Sequence, residues 1–361
     1  MYEDQPCKQN QGISSTDFSS TMLQMMNQGM LCLAVNLGHR TGLFEAMSGM
    51  KPATCDAISQ NAGLNTRYVR EWLGAMVTGG IVHYQSEQGL YSLPDEHASV
   101  LTPQAGANNM ARMTQALQSL AMVSKDVEAC FHKGGGVSYD AYPEFMDLWS
   151  QVNAQRLDST LIQKVIPQIP ELAAALDRGI DVLDIGCGDG HALCLLAKSF
   201  PSSRFKGIDL VASNIQKATK KVGTLQLTNL SFEQCDLTST QPRGNYHLIT
   251  AFDVLHDLAD PDDVMAALNS ILDRDGALLI VDIAASSALE ENLQHPAGPW
   301  LYTSSCMHCV PVSMAQNGVG LGAMWGREQA VELLEKNGFS DIQVMSVEED
   351  PFNHYFVAKK V

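Results

Sequence analysis

The chain has 361 residues, 45% hydrophobic and 17% charged, which is enough apolar material for sizeable cores and enough length for two domains. Its 40 acidic and 23 basic residues leave a net charge of -17, which opposes general binding to nucleic acid or anionic membranes because polyanion attraction rests on Lys and Arg. No apolar run approaches the ~20 residues of a membrane-spanning helix. The N-terminus lacks a signal-peptide pattern, and the nine scattered cysteines fit reduced thiols in a cytoplasmic protein better than a disulfide framework.

Residues 1–18 are polar and rich in Ser, Gln and Asn, and are expected to form a disordered tail. From Ser19 to His39 the chain is rich in Met and Leu and apolar nearly all round, including Met22, Leu23, Met25, Met26, Met30, Leu33 and Leu37. A helix of that kind needs cover on most faces. The expectation is packing against a second copy of the chain, with burial inside the monomer as the alternative.

Residues 42–100 read as a compact unit. Thr54 is placed to cap one short helix, and Asn65 or Thr66 the next. Val69, Trp72, Leu73, Met76 and Val77 follow the stripe of an amphipathic helix that Gly79-Gly80 ends. Ile81 to Tyr84 and Leu90 to Leu93, joined by a polar turn with Gly89, read as a hairpin. Helix, helix, hairpin is a winged-helix pattern, so residues 19–104 are taken as an N-terminal helix and winged-helix domain. DNA binding is not expected, since the second helix offers only Arg67 and Arg70 beside Glu71. Residues 105–178 are expected to be a helical connector, in which Tyr142 and Trp149 are candidates for contact with a substrate.

From Ile180 strands and helices alternate, and residues 179–361 form the last domain. Val182, Leu183 and Ile185 have the composition of a strand buried on both faces. Gly186, Gly188 and Gly190 follow, then a helical run, then a second strand ending at Asp209. Glycines between strand and helix let a ligand approach the backbone, and a carboxylate at the second strand's tip suits a ribose diol. The third glycine of a dinucleotide fingerprint is replaced by His191, and Gly-Lys-Ser/Thr is absent, so neither a dinucleotide fingerprint nor a P-loop is supported. Acids stand at or near the ends of five successive strands: Asp184, Asp209, Asp236, Asp253 and Asp282.

Asp184 to Gly190 resembles motif I of the class I S-adenosylmethionine-dependent methyltransferases. The late strands around Ile342 to Val347 and Phe352 to Ala358 resemble the antiparallel pair that closes their sheet. With Tyr68 to Val77, His308 and the Gly-rich run Gly318 to Gly326, the whole chain is similar to winged-helix methyltransferases typified by an uncharacterised mycobacterial group, and more distantly to small-molecule O-methyltransferases. The resemblance implies an α/β class I methyltransferase fold with a Rossmann-like, seven-stranded mixed sheet of order 3-2-1-4-5-7-6. It implies S-adenosylmethionine as cofactor, a small-molecule acceptor and a homodimer. Asp209 would then hold the ribose, Asp236 the adenine amino group, and Leu237 would cover the ring. Gly186, Cys187 and Gly188 would face the aminocarboxypropyl arm, and Asp184, Leu210, Phe252 and Asp253 complete the expected cofactor set.

A hydroxyl acceptor must lose a proton, for which His256 and His308 are the candidate bases. Cys306 and Cys309 make a single Cys-x-x-Cys, whereas a structural zinc site usually has four ligands, so no metal is expected. Gln316 to Gly326 reads as a mobile flap with glycine hinges before a helix over Arg327 to Lys336. Two other readings stay open: a winged-helix transcription regulator with a retained nucleoside-sensing pocket, and a nucleotide-dependent oxidoreductase, which His191 opposes.

Overall fold

The computed structural model describes residues 15–360, so the expected tail lies largely outside the described residues. The chain divides into two compact units, with the boundary between Gln118 and Ser119.

In the first unit, helix α1 (Ser15–Arg40) is followed by α2 (Leu43–Met47), α3 (Cys55–Ala62) and α4 (Thr66–Thr78). Thr54 Oγ1 accepts from the Ala57 N–H at 3.3 Å and Asn65 Oδ1 from the Arg67 N–H at 2.9 Å, so both helices start on a side-chain cap. Val69, Trp72, Leu73 and Met76 are buried along one face of α4. Strands β1 (His83–Gln85) and β2 (Leu90–Ser92) form the wing, with an isolated bridge from Ala53 to Tyr91. The C-terminal half of α1 packs in this core, where Trp72 Nε1–H donates to the Ala34 carbonyl at 2.8 Å. Its N-terminal half leaves Met22, Leu23, Met25 and Met26 exposed on the single chain, and Met30, Leu33 and Leu37 continue that exposed face.

The second unit is built on a seven-stranded sheet: β3 (Asp181–Ile185), β4 (Arg204–Asp209), β5 (Leu230–Gln234), β6 (Tyr246–Phe252), β7 (Leu272–Ile283), β8 (Phe339–Val347) and β9 (Asp350–Lys360). Its spatial order is β5-β4-β3-β6-β7-β9-β8, which is 3-2-1-4-5-7-6 when only this sheet's strands are counted. The first five strands run parallel, and β9 joins β7 and β8 antiparallel.

Alternation along β3 divides the interior. Val182 faces one core with Leu193, Phe205 and Leu248, while Leu183 and Ile185 face another with Ile249, Leu268 and Phe356. The stretch expected as one connector is divided at the unit boundary. Leu157, Leu161, Val165, Ile166, Leu172 and Leu176 pack in the same core as Val182, which makes this helical run part of the sheet's covering layer. The order of strands reverses between β3 and β6, the place where open α/β sheets bind ligands beyond their carboxyl ends.

Candidate active site

A cavity of ≈ 240 Å³ opens at that reversal, many times the ~30 Å³ share of one water, and is lined wholly by residues of the second unit. Asp184, Gly186, Cys187, Gly188, Asp209, Leu210, Asp236, Leu237, Phe252, Asp253, His256, His308 and Trp149 all reach its wall. Tyr142 does not. It is fully buried, its hydroxyl donates to the Met307 carbonyl at 2.7 Å, and its ring stands edge-on to His308 at 4.8 Å. It supports the wall from behind.

The glycine loop and the tip of β4 are one hydrogen-bonded unit. Asp209 Oδ2 accepts from the Gly188 N–H and Oδ1 from the Val211 N–H, each at 2.8 Å, with Asn214 Nδ2–H at 3.2 Å. Burial still pushes the Asp209 carboxyl up against these bonds. Gly186 and Gly188 both have φ in the left-handed region. A Cβ on Gly186 would lie 2.2 Å from Val254 Cγ2, whereas one on Gly188 would meet open space. Asp189 continues the loop and is gripped by Ser150 Oγ–H and Lys221 Nζ, each at 2.7 Å.

Asp184 is buried beneath the loop, accepts from Thr250 Oγ1–H at 2.6 Å, and has its pKa pushed up to about 8 by burial. Cys187 is a buried neutral thiol whose pKa burial raises far above the ordinary range, as an inert thiol should be. Asp236 is half-buried, with Oδ1 accepting from the Thr238 N–H at 2.9 Å and hydroxyl at 2.6 Å.

At the end of β6, Asp253 takes a left-handed conformation (φ 58) that side-chain-bearing residues adopt rarely. Its Oδ2 accepts from Trp149 Nε1–H at 2.8 Å and Asn153 Nδ2–H at 3.3 Å, so the Trp149 indole N–H is already engaged. Burial works to raise the Asp253 pKa, but His256 and Arg156 outweigh it and hold the carboxyl low. Arg156 in turn donates to Asp350 Oδ2 at 3.0 Å.

The two histidines differ sharply. His256 Nδ1 is 2.8 Å from Asp282 Oδ1, and Asp257 Oδ1 is 3.5 Å from His256 Nε2. Burial disfavours charge there, yet the two carboxylates overcome it and raise the pKa well above the usual value. His308 is also buried, but burial dominates and lowers its pKa. Its ring packs 4.6 Å from Phe145 and 5.9 Å from Tyr139, and Nε2 has no hydrogen-bond partner.

His308 lies on a π-helical turn, Ser305–Cys309, with Cys309 buried and Cys306 exposed. Residues 316–326 pack against this turn. Val319 N–H donates to the Ala259 carbonyl, Gly322 N–H to the His256 carbonyl and Ala323 N–H to Ser305 Oγ. A Cβ on Gly318 would lie 2.5 Å from Ala259 Cα, and one on Gly322 would lie 2.3 Å from Ser305 Oγ. The flap expectation is corrected accordingly: these glycines allow close backbone packing, and Ala323, Met324 and Trp325 are buried.

Sequence reasoning missed Asn153, Arg156, Tyr139 and Asp257 as parts of the cavity wall. Asp257 had one available signal, its adjacency to His256. The other three approach the site from helical or turn segments about 100 residues or more away from their partners.

An open mixed sheet of this order, with a glycine loop and a strand-tip acid at its reversal, defines a class I methyltransferase fold. Comparison with known families agrees. Residues 29–103 match the Rv2258c-like winged HTH domain, and residues 176–338 match a methyltransferase domain. The chain therefore carries an Rv2258c-like winged helix-turn-helix domain followed by a class I methyltransferase domain. Among curated relatives, trans-aconitate 2-methyltransferase of Deinococcus radiodurans is 31% identical over 147 residues, 41% of this chain and 49% of that protein. The chain thus spans about half the length of that relative. A proposed O-methyltransferase from Nostoc punctiforme is similar in structure, with TM-score 0.72 and 18% identity over 97% of this chain and 100% of that one. Human N-acetylserotonin methyltransferase in complex with SAM has TM-score 0.62 and 14% identity over 97% and 99% of the two chains. At these identities the structural likeness shows the fold.

Proposed function

We propose that this chain transfers a methyl group from S-adenosylmethionine to a small organic acceptor, with oxygen favoured over nitrogen or sulfur as the target. The observation that carries the reading is the Asp209–Gly188 unit. It offers a strand-tip carboxylate with accepting capacity left for a ribose diol, beside a glycine whose missing Cβ leaves open space. The rest of the donor set suits the same cofactor. Asp236 offers a carboxylate for the adenine amino group, Leu210 and Leu237 offer apolar cover, and Gly186 and Cys187 offer backbone to the aminocarboxypropyl arm. The name of the Nostoc punctiforme neighbour, a proposed O-methyltransferase, supports oxygen as the target.

When bound, the sulfonium supplies an electrophilic methyl whose leaving group is a neutral thioether. The chain's own contribution is position and proton handling. Phe145 and Trp149 stack at 5.7 Å with an interplanar angle of 8° and give the acceptor a flat apolar wall. His308 is the base: burial keeps its imidazole neutral, and Nε2 is unpartnered to receive the acceptor's proton. His256, held charged between Asp282 and Asp257, is a positioning residue.

The exposed apolar face of α1 supports a homodimer formed through the N-terminal region. Every cysteine among the described residues is free, which supports a reducing, cytoplasmic setting. No helix among the described residues is long and apolar enough to cross a membrane. The decisive experiment is incubation with isotopically labelled cofactor and a metabolite extract, with the product identified by mass spectrometry. A labelled small molecule is expected; failure of the protein to bind S-adenosylhomocysteine at all would overturn the reading.

A further inference from the structure

We propose that His256, Asp257 and Cys309 form a binding site for a zinc-class divalent cation, with a fourth coordination position left open toward the cavity. Their donor atoms, an imidazole nitrogen, a carboxylate oxygen and a sulfur, lie within 4.8 Å of one another. That mixture suits a borderline-soft ion, and three protein ligands with one open position is the pattern of catalytic zinc sites.

The His256–Asp257 spacing suits coordination through an ion. His256 Nε2 and Asp257 Oδ1 stand 3.5 Å apart, longer than the ~2.7–3.2 Å of a usual hydrogen bond. Two ligands each ~2.0–2.2 Å from a tetrahedral ion stand ~3.3–3.6 Å apart. The other side of each ligand is already anchored. His256 Nδ1 is held by Asp282, whose Oδ1 also accepts from the Ile283 N–H at 2.8 Å. This fixes the ring and leaves Nε2 facing Asp257, the arrangement in which metal-binding histidines are usually held. Asp257 Oδ2 accepts from the Tyr139 hydroxyl at 3.0 Å, which leaves Oδ1 for the ion.

The state of Asp257 Oδ1 also points to a ligand there. Asp257 is only 8% exposed, and its Oδ1 is buried with no hydrogen-bond partner. A buried carboxylate oxygen in that state is costly, and a cation held between it, His256 Nε2 and Cys309 Sγ would satisfy it. Cys309 arrives on the π-helical turn Ser305–Cys309, a geometry found often at functional positions. The alternative trio of Asp253, His256 and Asp282 is less suited. Asp253 Oδ2 already accepts from Trp149 and Asn153, and Asp282 Oδ1 already holds His256 Nδ1 and the Ile283 N–H, although Asp282 Oδ2 is likewise buried without a partner. Cys306, the other thiol of the Cys-x-x-Cys, is exposed and plays no part.

On binding, the Cys309 thiol and the His256 Nε2–H release their protons to buffer. The open position would take the oxygen or sulfur of an acceptor beside His308, a clause that rests on the methyltransferase reading.

The test uses full-length protein without a histidine tag, stripped with chelator and titrated with cobalt(II). The expected result is one equivalent bound, with the visible bands of tetrahedral cobalt and a near-ultraviolet thiolate-to-cobalt band, both abolished by zinc. Cys309→Ser should lose the near-ultraviolet band, Asp257→Asn should weaken cobalt binding at least tenfold, and Cys306→Ser should change neither. Absence of stoichiometric cobalt binding, or a thiolate band that survives in Cys309→Ser, overturns the site. Should Cys309→Ser fail to fold, unchanged affinity in the isosteric Asp257→Asn overturns it instead. S-adenosylhomocysteine calorimetry on the same samples separates the two ideas: cofactor binding without cobalt binding sinks only the metal site, and cobalt binding without cofactor binding sinks only the methyltransferase reading.

Discussion

The Gly188 N–H donates to Asp209 Oδ2 at 2.8 Å, across 21 residues of chain, and this bond joins the loop after β3 to the tip of β4. The carboxylate therefore has two tasks, holding the loop and facing the cavity. Asp209→Ala removes both. Affinity for S-adenosylhomocysteine should fall by about one to two orders of magnitude, in line with loss of a charge-assisted hydrogen bond of ~1.5–3 kcal/mol. Calorimetry measures it, and unchanged affinity would remove Asp209 from the ribose site.

The two glycines of the loop separate folding from binding. Both carry positive φ, so alanine at either is strained by ~1–2 kcal/mol. Gly186→Ala adds a collision, with its Cβ 2.2 Å from Val254 Cγ2, and should lose a further ~1–3 kcal/mol of stability. Gly188→Ala meets no neighbour and should keep most of its stability while losing cofactor affinity. Paired denaturant melts and ligand titrations check this; equal stability losses would contradict it.

Asp184 makes stability depend on pH in an unusual direction. Its pKa is 3.8 when unperturbed and about 8 in the fold, so between those values the folded state keeps a proton that the unfolded chain has lost. Its contribution is therefore complete below about pH 4 and declines as pH rises through about 8, at up to ~1.4 kcal/mol per pH unit. Asp184→Asn should flatten this decline. Thermal melts of wild type and variant across the range would show parallel curves if Asp184 were ionised throughout.

His308, lowered below the histidine value of 6.5 by burial, is neutral at pH 7. Turnover should rise with pH through a midpoint below 6.5 and be level above it. His308→Ala should lower kcat by ~10²–10⁴ and abolish that limb, with cofactor affinity little changed. A profile still climbing at alkaline pH would point to a different base.

Met26 and Met30 on α1 are 63% and 66% exposed in the single chain. The double substitution Met26→Asp with Met30→Asp should shift a homodimer to monomer in sedimentation velocity. A wild-type protein that is itself monomeric at micromolar concentration would remove the proposed interface.

The parts legible in the sequence are those written locally. The β3 run of Val182, Leu183 and Ile185, the glycines after it and Asp209 at the next strand's end all fall within 30 residues, whereas the strand order comes from the resemblance to the methyltransferase family. The caps at Thr54 and Asn65 were equally local. Tyr142 shows the limit. Its aromatic spacing suggested substrate contact, but spacing along a helix does not say which side the neighbouring π-helical turn will cover. The glycines of residues 316–326 misled for a related reason. Absence of a side chain permits both hinge motion and close packing, and only the positions of Ala259 and Ser305 decide between them.

By itself, the sequence determined the winged-helix pattern, the alternating α/β domain and the acid-and-glycine signature of a nucleoside site, because periodicity, turn chemistry and strand ends are short-range properties. Only the tertiary structure distinguished His308, neutral and unpartnered, from His256, held charged between Asp257 and Asp282. Desolvation and Coulomb attraction depend on what surrounds a group in space, and for His256, on a short helical turn, one of the two carboxylates belongs to strand β7, 26 residues along the chain.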